Sequence, residues 1–109
     1  MSYSSPNEWG PCLWKRLHME TIIYPRCPTE YDMDRIYNLF YNLPYELPCP
    51  NCAKNLIEHY QVLPLTRKIL SSRRRLIKWL IDIHNMVNSS LGKPTYSYDY
   101  AMSMILNDY

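Results

Sequence analysis

Residues 73–94 read RRRLIKWLIDIHNMVNSSLGKP, and this stretch decides the fold. Leu76, Leu80, Ile83 and Val87 recur at three- and four-residue spacing, so they share one face of a helix. Ile77, Ile81, His84 and Asn88 form the adjacent stripe, which turns polar towards its C-terminal end. Ser71 or Ser72 can cap the start. Gly92 and then Pro94 stop the helix near residue 90.

The rest of the chain reads as further helices punctuated by prolines. A first helix is expected over residues 7–24, with Leu13, Trp14, Leu17, His18 and Thr21 on one face and Pro25 at its end. A second is expected from residue 29 or 32 to 42, with Ile36, Leu39 and Phe40 as its apolar stripe. Pro44 and Pro48 then bracket a loop. A third starts at Cys49-Pro50, where proline suits the first helical position, and runs through Leu56 to about residue 60. A short helix is expected over residues 99–106, capped by Ser97. No stretch alternates over strand lengths. The expected fold is all-α: an antiparallel four-helix bundle with a short fifth helix across it, one domain over residues 1–109 with its core at about 7–106.

Composition narrows the function. The 109 residues are 47% hydrophobic and 20% charged, an ordinary globular balance. The only glycines, Gly10 and Gly92, can build neither a dinucleotide-binding fingerprint nor a P-loop. The net charge of +2 is too weak to argue for nucleic acid. No apolar run reaches the roughly 18 residues of a membrane span. Residues 1–6 are short and polar, so neither a signal nor a transit peptide is expected, and the chain should be soluble. Half of the positive charge lies in Arg67, Lys68, Arg73, Arg74, Arg75 and Lys78, read as a solvated helix start with its preceding loop. Tyr96, Tyr98, Tyr100 and Tyr109 are read as packing over the end of the bundle.

The sharpest local feature is Cys49-Pro50-Asn51-Cys52. Two cysteines three apart at a helix start can close a small disulfide, and the helix N-terminus stabilises a thiolate there. Such a pair is redox-active unless it ligates a metal or is simply two small buried residues. A zinc site needs more ligands, and Cys12, Cys27, His18, His59 and His84 are scattered. Trp14 with His18, and His84 with Asn88, are i, i+4 pairs on two helices, and Lys93 follows. Each alone reads as core. Together they could stack on a flat heteroaromatic ligand and neutralise its phosphate. Cys12 and Cys27 lie roughly 20 Å apart along a straight helix, beyond disulfide reach. Cys12 reads as a small buried residue and Cys27 as a loop thiol; a relay or a bridge between subunits is the alternative.

These pieces resemble the Erv/ALR family of flavin-linked sulfhydryl oxidases. The likeness rests on Trp9-Gly10 with Trp14 and Leu17-His18, on Tyr24-Pro25 and Pro28, and on Pro48 with the Cys49–Cys52 motif. It continues in Trp79, His84-Asn85, Val87-Asn88, Leu91-Gly92-Lys93-Pro94 and Tyr96. It covers about residues 9–98. The resemblance implies FAD held between helices. Cys52 would lie against the isoalloxazine ring, and Cys49 would exchange with substrate thiols. Trp14 and His18 would line the flavin, Gly10 would be among the cofactor-binding residues, and His84 would pack on the adenine with Asn85 and Asn88 nearby. Lys93 would face the phosphates, and Tyr96 would stand near the cofactor. It also implies a thiol-containing protein substrate, itself thioredoxin-like or carrying a C-x-x-C, with oxygen reduced to hydrogen peroxide and a homodimer.

The departures are specific. A structural disulfide of many members is replaced here by Ile81 and Tyr98, and a Tyr of some members by Ile23. The Arg-rich, Trp-containing tail and the additional upstream C-x-x-C of cellular members are absent, with Met104 and Ile105 standing near the tail's place. The short form looks most like the oxidases of large cytoplasmic DNA viruses, which implies the host cytoplasm, viral factory or virion. The rivals are a zinc- or partner-binding helical module that uses its cysteines without catalysis, and a nucleic-acid binder that uses the arginine cluster.

Overall fold

A computed structural model describes residues 5–108, so the expectations for the extreme N-terminus and for Tyr109 lie outside the described residues. Six helices follow in order: α1 Pro6–Ile22, α2 Glu30–Glu46, α3 Pro50–Val62, α4 Arg67–Leu70, α5 Arg73–Ser90 and α6 Tyr98–Asp108. The all-α architecture agrees with the sequence, and α4 is an added single turn. α5 packs against α1, α3, α4 and α6, while α2 packs against α3 and α4.

The helix ends follow local chemistry. Thr29 and Asp32 form a reciprocal capping box on α2, with bonds of 3.1 and 2.8 Å. Ser72, rather than Ser71, caps α5 by accepting from the Arg75 N–H at 3.3 Å. Gly92, at φ 71°, ends α5. The Lys93 N–H then donates to the Asn88 carbonyl at 2.8 Å, and the Gly92 N–H to Ser89 at 3.1 Å, the paired bonds of a Schellman turn. Ser97 caps α6 by accepting from the Tyr100 N–H at 3.2 Å.

The two stripes of α5 enter two different cores. Leu76, Leu80 and Ile83 join Leu17, Ile36, Phe40 and Leu56 in the larger one. Trp79 is buried beside them, edge-on to Phe40 at 5.1 Å, and its indole N–H donates to the Leu63 carbonyl at 2.9 Å. Ile77 and Ile81 meet Ile105 of α6 in the smaller core, and Tyr98 packs against it. Ile81 and Tyr98 therefore stand in one apolar cluster, and packing holds α6 to α5 there.

Several expectations need correction. α2 does not stop at residue 42 but continues through Pro44 to Glu46. Pro44 forfeits one helical hydrogen bond, which its burial and that of Leu43 offset. α1 ends at Ile22, not residue 24. Tyr24 precedes Pro25, which disfavours helical backbone, and it leaves the helix to become wholly buried. Its hydroxyl donates to the Leu70 carbonyl at 2.6 Å, and Arg73 Nε donates to the Tyr24 carbonyl. Cys12 is exposed, not buried, because it shares the outer face of α1 with Lys15 and Arg16. Of the described C-terminal tyrosines only Tyr98 packs inward; Tyr96 and Tyr100 stack on each other at 5.3 Å and remain exposed.

The Tyr24 hydroxyl is the buried polar tie between the α1–α2 connection and α4. Tyr24→Phe leaves the Leu70 carbonyl short of a donor and should lower folding stability by about 1–3 kcal/mol, read from urea denaturation. An unchanged denaturation midpoint would contradict the role of that bond.

Candidate functional site

α3 begins where it does because Cys49 is extended and Pro50 fixes the first helical position. Ala53 makes the first helical bond, to the Cys49 carbonyl at 3.0 Å. The Cys52 N–H, which has no helical partner, donates instead to Cys49 Sγ at 3.2 Å. Cys49 and Cys52 form a disulfide with Cα atoms 5.2 Å apart. The α3 N-terminus thus bears on the Cys49 sulfur and favours its anionic form on reduction.

Cys52 lines a cleft of about 410 Å³, and Cys49 lies outside that lining. The volume is that of a small-molecule or cofactor site. Gly10, Trp14 and His18 of α1 line it, with His84, Asn85 and Asn88 of α5 and Lys93 and Tyr96 beyond. The structure therefore brings all eight expected contact residues together with Cys52. A Cβ at Gly10 would meet nothing within 4 Å, so the absence of a side chain leaves room in the cleft.

The aromatic wall is continuous. The rings of Trp14 and His84 stack at 3.8 Å with 6° between planes, so no third ring fits between them. His18 Nε2 and His84 Nδ1 are 3.0 Å apart, a hydrogen bond whose direction the tautomers decide. Asn85 is already engaged: its amide donates to the Tyr96 carbonyl at 2.8 Å and accepts from the Tyr96 N–H at 2.9 Å. It acts as a clamp on the segment that follows α5. Lys93 Nζ reaches Asn7 Oδ1 at 3.2 Å and sets a positive charge at one part of the rim.

The sequence reading did not single out Leu43, Leu47, Asn55, Met104 and Ile105 as cleft residues. Asn55 had a signal, its position one turn beyond Cys52. Leu43 and Leu47 had none, because the helix was expected to end before them. Cys12 and Cys27 are free and exposed. Among the described residues, no three His, Cys, Asp or Glu side chains gather in a way that could hold a metal. Within the basic cluster Arg67 pairs with Glu30, and Lys78 with Asp82 at 2.7 Å. No helix of the described residues is long and apolar enough to cross a membrane.

Burial pushes His18 down to about 3, helped by His84. Burial likewise pushes His84 down to about 4, helped by the charge of Lys93. Both imidazoles are therefore neutral in the folded protein at pH 7. The unfolded chain binds protons at these sites near pH 6.5, so folding stability is fully present above that and falls as pH drops towards 4. Denaturation midpoints should decline between pH 6.5 and 5, where ordinary carboxylates are still ionised. His84→Gln should flatten that slope. An equally steep decline in the variant would contradict the assignment.

The sequence model of the Erv1/Alr family matches residues 11–106. A protein of Acanthamoeba polyphaga mimivirus named "Probable FAD-linked sulfhydryl oxidase" is 44% identical, with 93% of this chain and 71% of that protein aligned. A similarly named protein of Invertebrate iridescent virus 6 is 34% identical, over 86% of this chain and 88% of the relative. The fold is that of the FAD-binding domain of Erv1 from Saccharomyces cerevisiae: TM-score 0.86 at 22% identity, covering 98% of this chain and 99% of that one. With a family match over nearly its whole length, the chain belongs to the Erv1/Alr family.

Proposed function

We propose that this chain, as one domain over residues 1–109, is an FAD-dependent sulfhydryl oxidase that makes disulfides in a protein substrate. The observation that carries the reading is the placement of the Cys49–Cys52 disulfide, with Cys52 turned into a cleft walled by Trp14, His18 and His84. The donor set fits FAD. The aromatic wall offers flat surface, Lys93 offers a cation for phosphate, and Gly10 leaves space for close approach. Among the described residues the Asn88 side chain makes no hydrogen bond and lines the cleft, whereas Asn85 contributes by holding Tyr96 in place.

The protein's own chemistry follows from the two sulfurs. A substrate thiolate attacks Cys49 Sγ, because that sulfur lies outside the cleft, and Cys52 leaves as a thiolate facing inward. The second substrate thiol attacks the mixed disulfide at the substrate's own sulfur. Cys49 is then the leaving group, and the α3 N-terminus favours its departure as a thiolate. The substrate leaves with a new disulfide and has lost two electrons and two protons. The chemistry that FAD supplies when bound is acceptance of the two electrons released as the Cys49–Cys52 bond re-forms, which oxygen drains as hydrogen peroxide.

A thioredoxin-like or C-x-x-C protein suits this exchange as substrate, since its two thiols are already adjacent. A homodimer is supported by the exposed stripe of Tyr37, Tyr41 and Tyr45 along α2, which a second copy would cover. The viral relatives support a viral origin and a place in the host cytoplasm, viral factory or virion.

The division of labour is testable. Cys52→Ser should abolish thiol oxidation and any thiolate–flavin charge-transfer band, with FAD still bound. Cys49→Ser should also abolish turnover but keep or expose that band. Retained activity in either variant, or the reverse pattern of bands, would overturn the assignment. His84→Ala should lower FAD retention, read as FAD per chain after gel filtration, while the thiol count stays unchanged.

A further inference from the structure

We infer that Asn55 is a polar positioning residue of the redox site, which hydrogen-bonds the edge of the electron-accepting ring beside Cys52. The inference rests on the proposed FAD-dependent reading. Asn55 lies on α3 three residues after Cys52, and both line the same cleft. Residues so spaced stand about 5–6 Å apart on one helix face. Side chains on a helix also lean towards its N-terminus, so the Asn55 amide is tilted back towards the sulfur.

The same cleft is lined by the apolar Leu17, Leu43, Leu47 and Leu56. The Asn55 side chain is exposed at the cleft and, among the described residues, makes no hydrogen bond, whereas Asn85 has donor and acceptor engaged by Tyr96. A ring that takes electrons from Cys52 must bring its reacting atom to about 3–3.5 Å from that sulfur. Its adjacent edge then comes within reach of Asn55. The pyrimidine edge of an isoalloxazine alternates carbonyls with ring nitrogens, and an amide can both donate to it and accept from it. Reduction adds negative charge to that edge, so a donor there strengthens its bond on reduction. Asn55 would thus favour electron entry and fix the ring against the Cys52 thiolate.

The test uses the purified FAD-loaded protein and three variants: Asn55→Leu, Asn55→Asp and Asn55→Gln. Two quantities are read, the midpoint potential of the bound flavin and the charge-transfer band formed with Cys52 in a Cys49→Ser background. Asn55→Leu should keep about one FAD per chain. Its equilibrium constant for reduction should fall about tenfold, about 30 mV for a two-electron couple, with a weakened or shifted band. Asn55→Asp places a negative charge at the same point and should lower the potential further. Asn55→Gln should recover part of both signals. Unchanged potential and band in the Leu and Asp variants, with FAD bound, would overturn the inference. Wild-type protein that binds no FAD would instead overturn the functional reading beneath it.

Discussion

A hydrogen bond between the buried imidazole of His18 on α1 and the half-buried one of His84 on α5 joins the helices that build the cleft. Burial keeps both rings neutral at pH 7. Trp14 stacks on His84 from the same side of α1, so a ring contact backs the polar contact. Three side chains from two helices thus form one wall, with Trp14 and His84 stacked and His18 tilted at about 31° to His84. The larger core lies behind it, and the cleft in front. A charged His84 here would be poorly solvated and repelled by Lys93.

The second determinant is where α3 starts. Cys49 lies at the cap and Cys52 in the first turn, so one helix end treats the two sulfurs differently. Cys52 lines the cleft, whereas the Cys49 sulfur lies outside that lining and accepts from the N–H of Cys52 at the helix N-terminus. Extension of α2 through Pro44 shortens the connection to this cap to a few residues and brings Leu43 and Leu47 onto the cleft. The apolar side of the site and its redox corner therefore come from one stretch of chain.

Much of this was legible. The stripes of α5 predict two faces, and each face enters its own core. His84 and Asn88 read alone as core and, with Trp14, His18 and Lys93, as a set that could stack on a flat ligand; in the structure both line the cleft. Trp79 fills the gap in the first stripe between Leu76 and Ile83, yet only packing shows that its indole N–H is satisfied by Leu63. α4 escaped because four residues carry no readable period; Thr66, whose hydroxyl accepts from the Ile69 N–H at 3.3 Å, is its one local signal. The end of α2 escaped because proline marks a helix boundary only when burial does not outweigh its lost hydrogen bond. The commitment of Asn85 to Tyr96 was invisible for a different reason: it joins residues eleven apart through a turn whose path Gly92 sets.

The account stands or falls on whether the cleft beside Cys52 holds a flavin. The most direct measurement is a visible absorption spectrum of the purified protein, repeated on the supernatant after denaturation. A flavin spectrum, with FAD released at about one per chain, is the predicted result. A colourless protein that takes up no added FAD would contradict it.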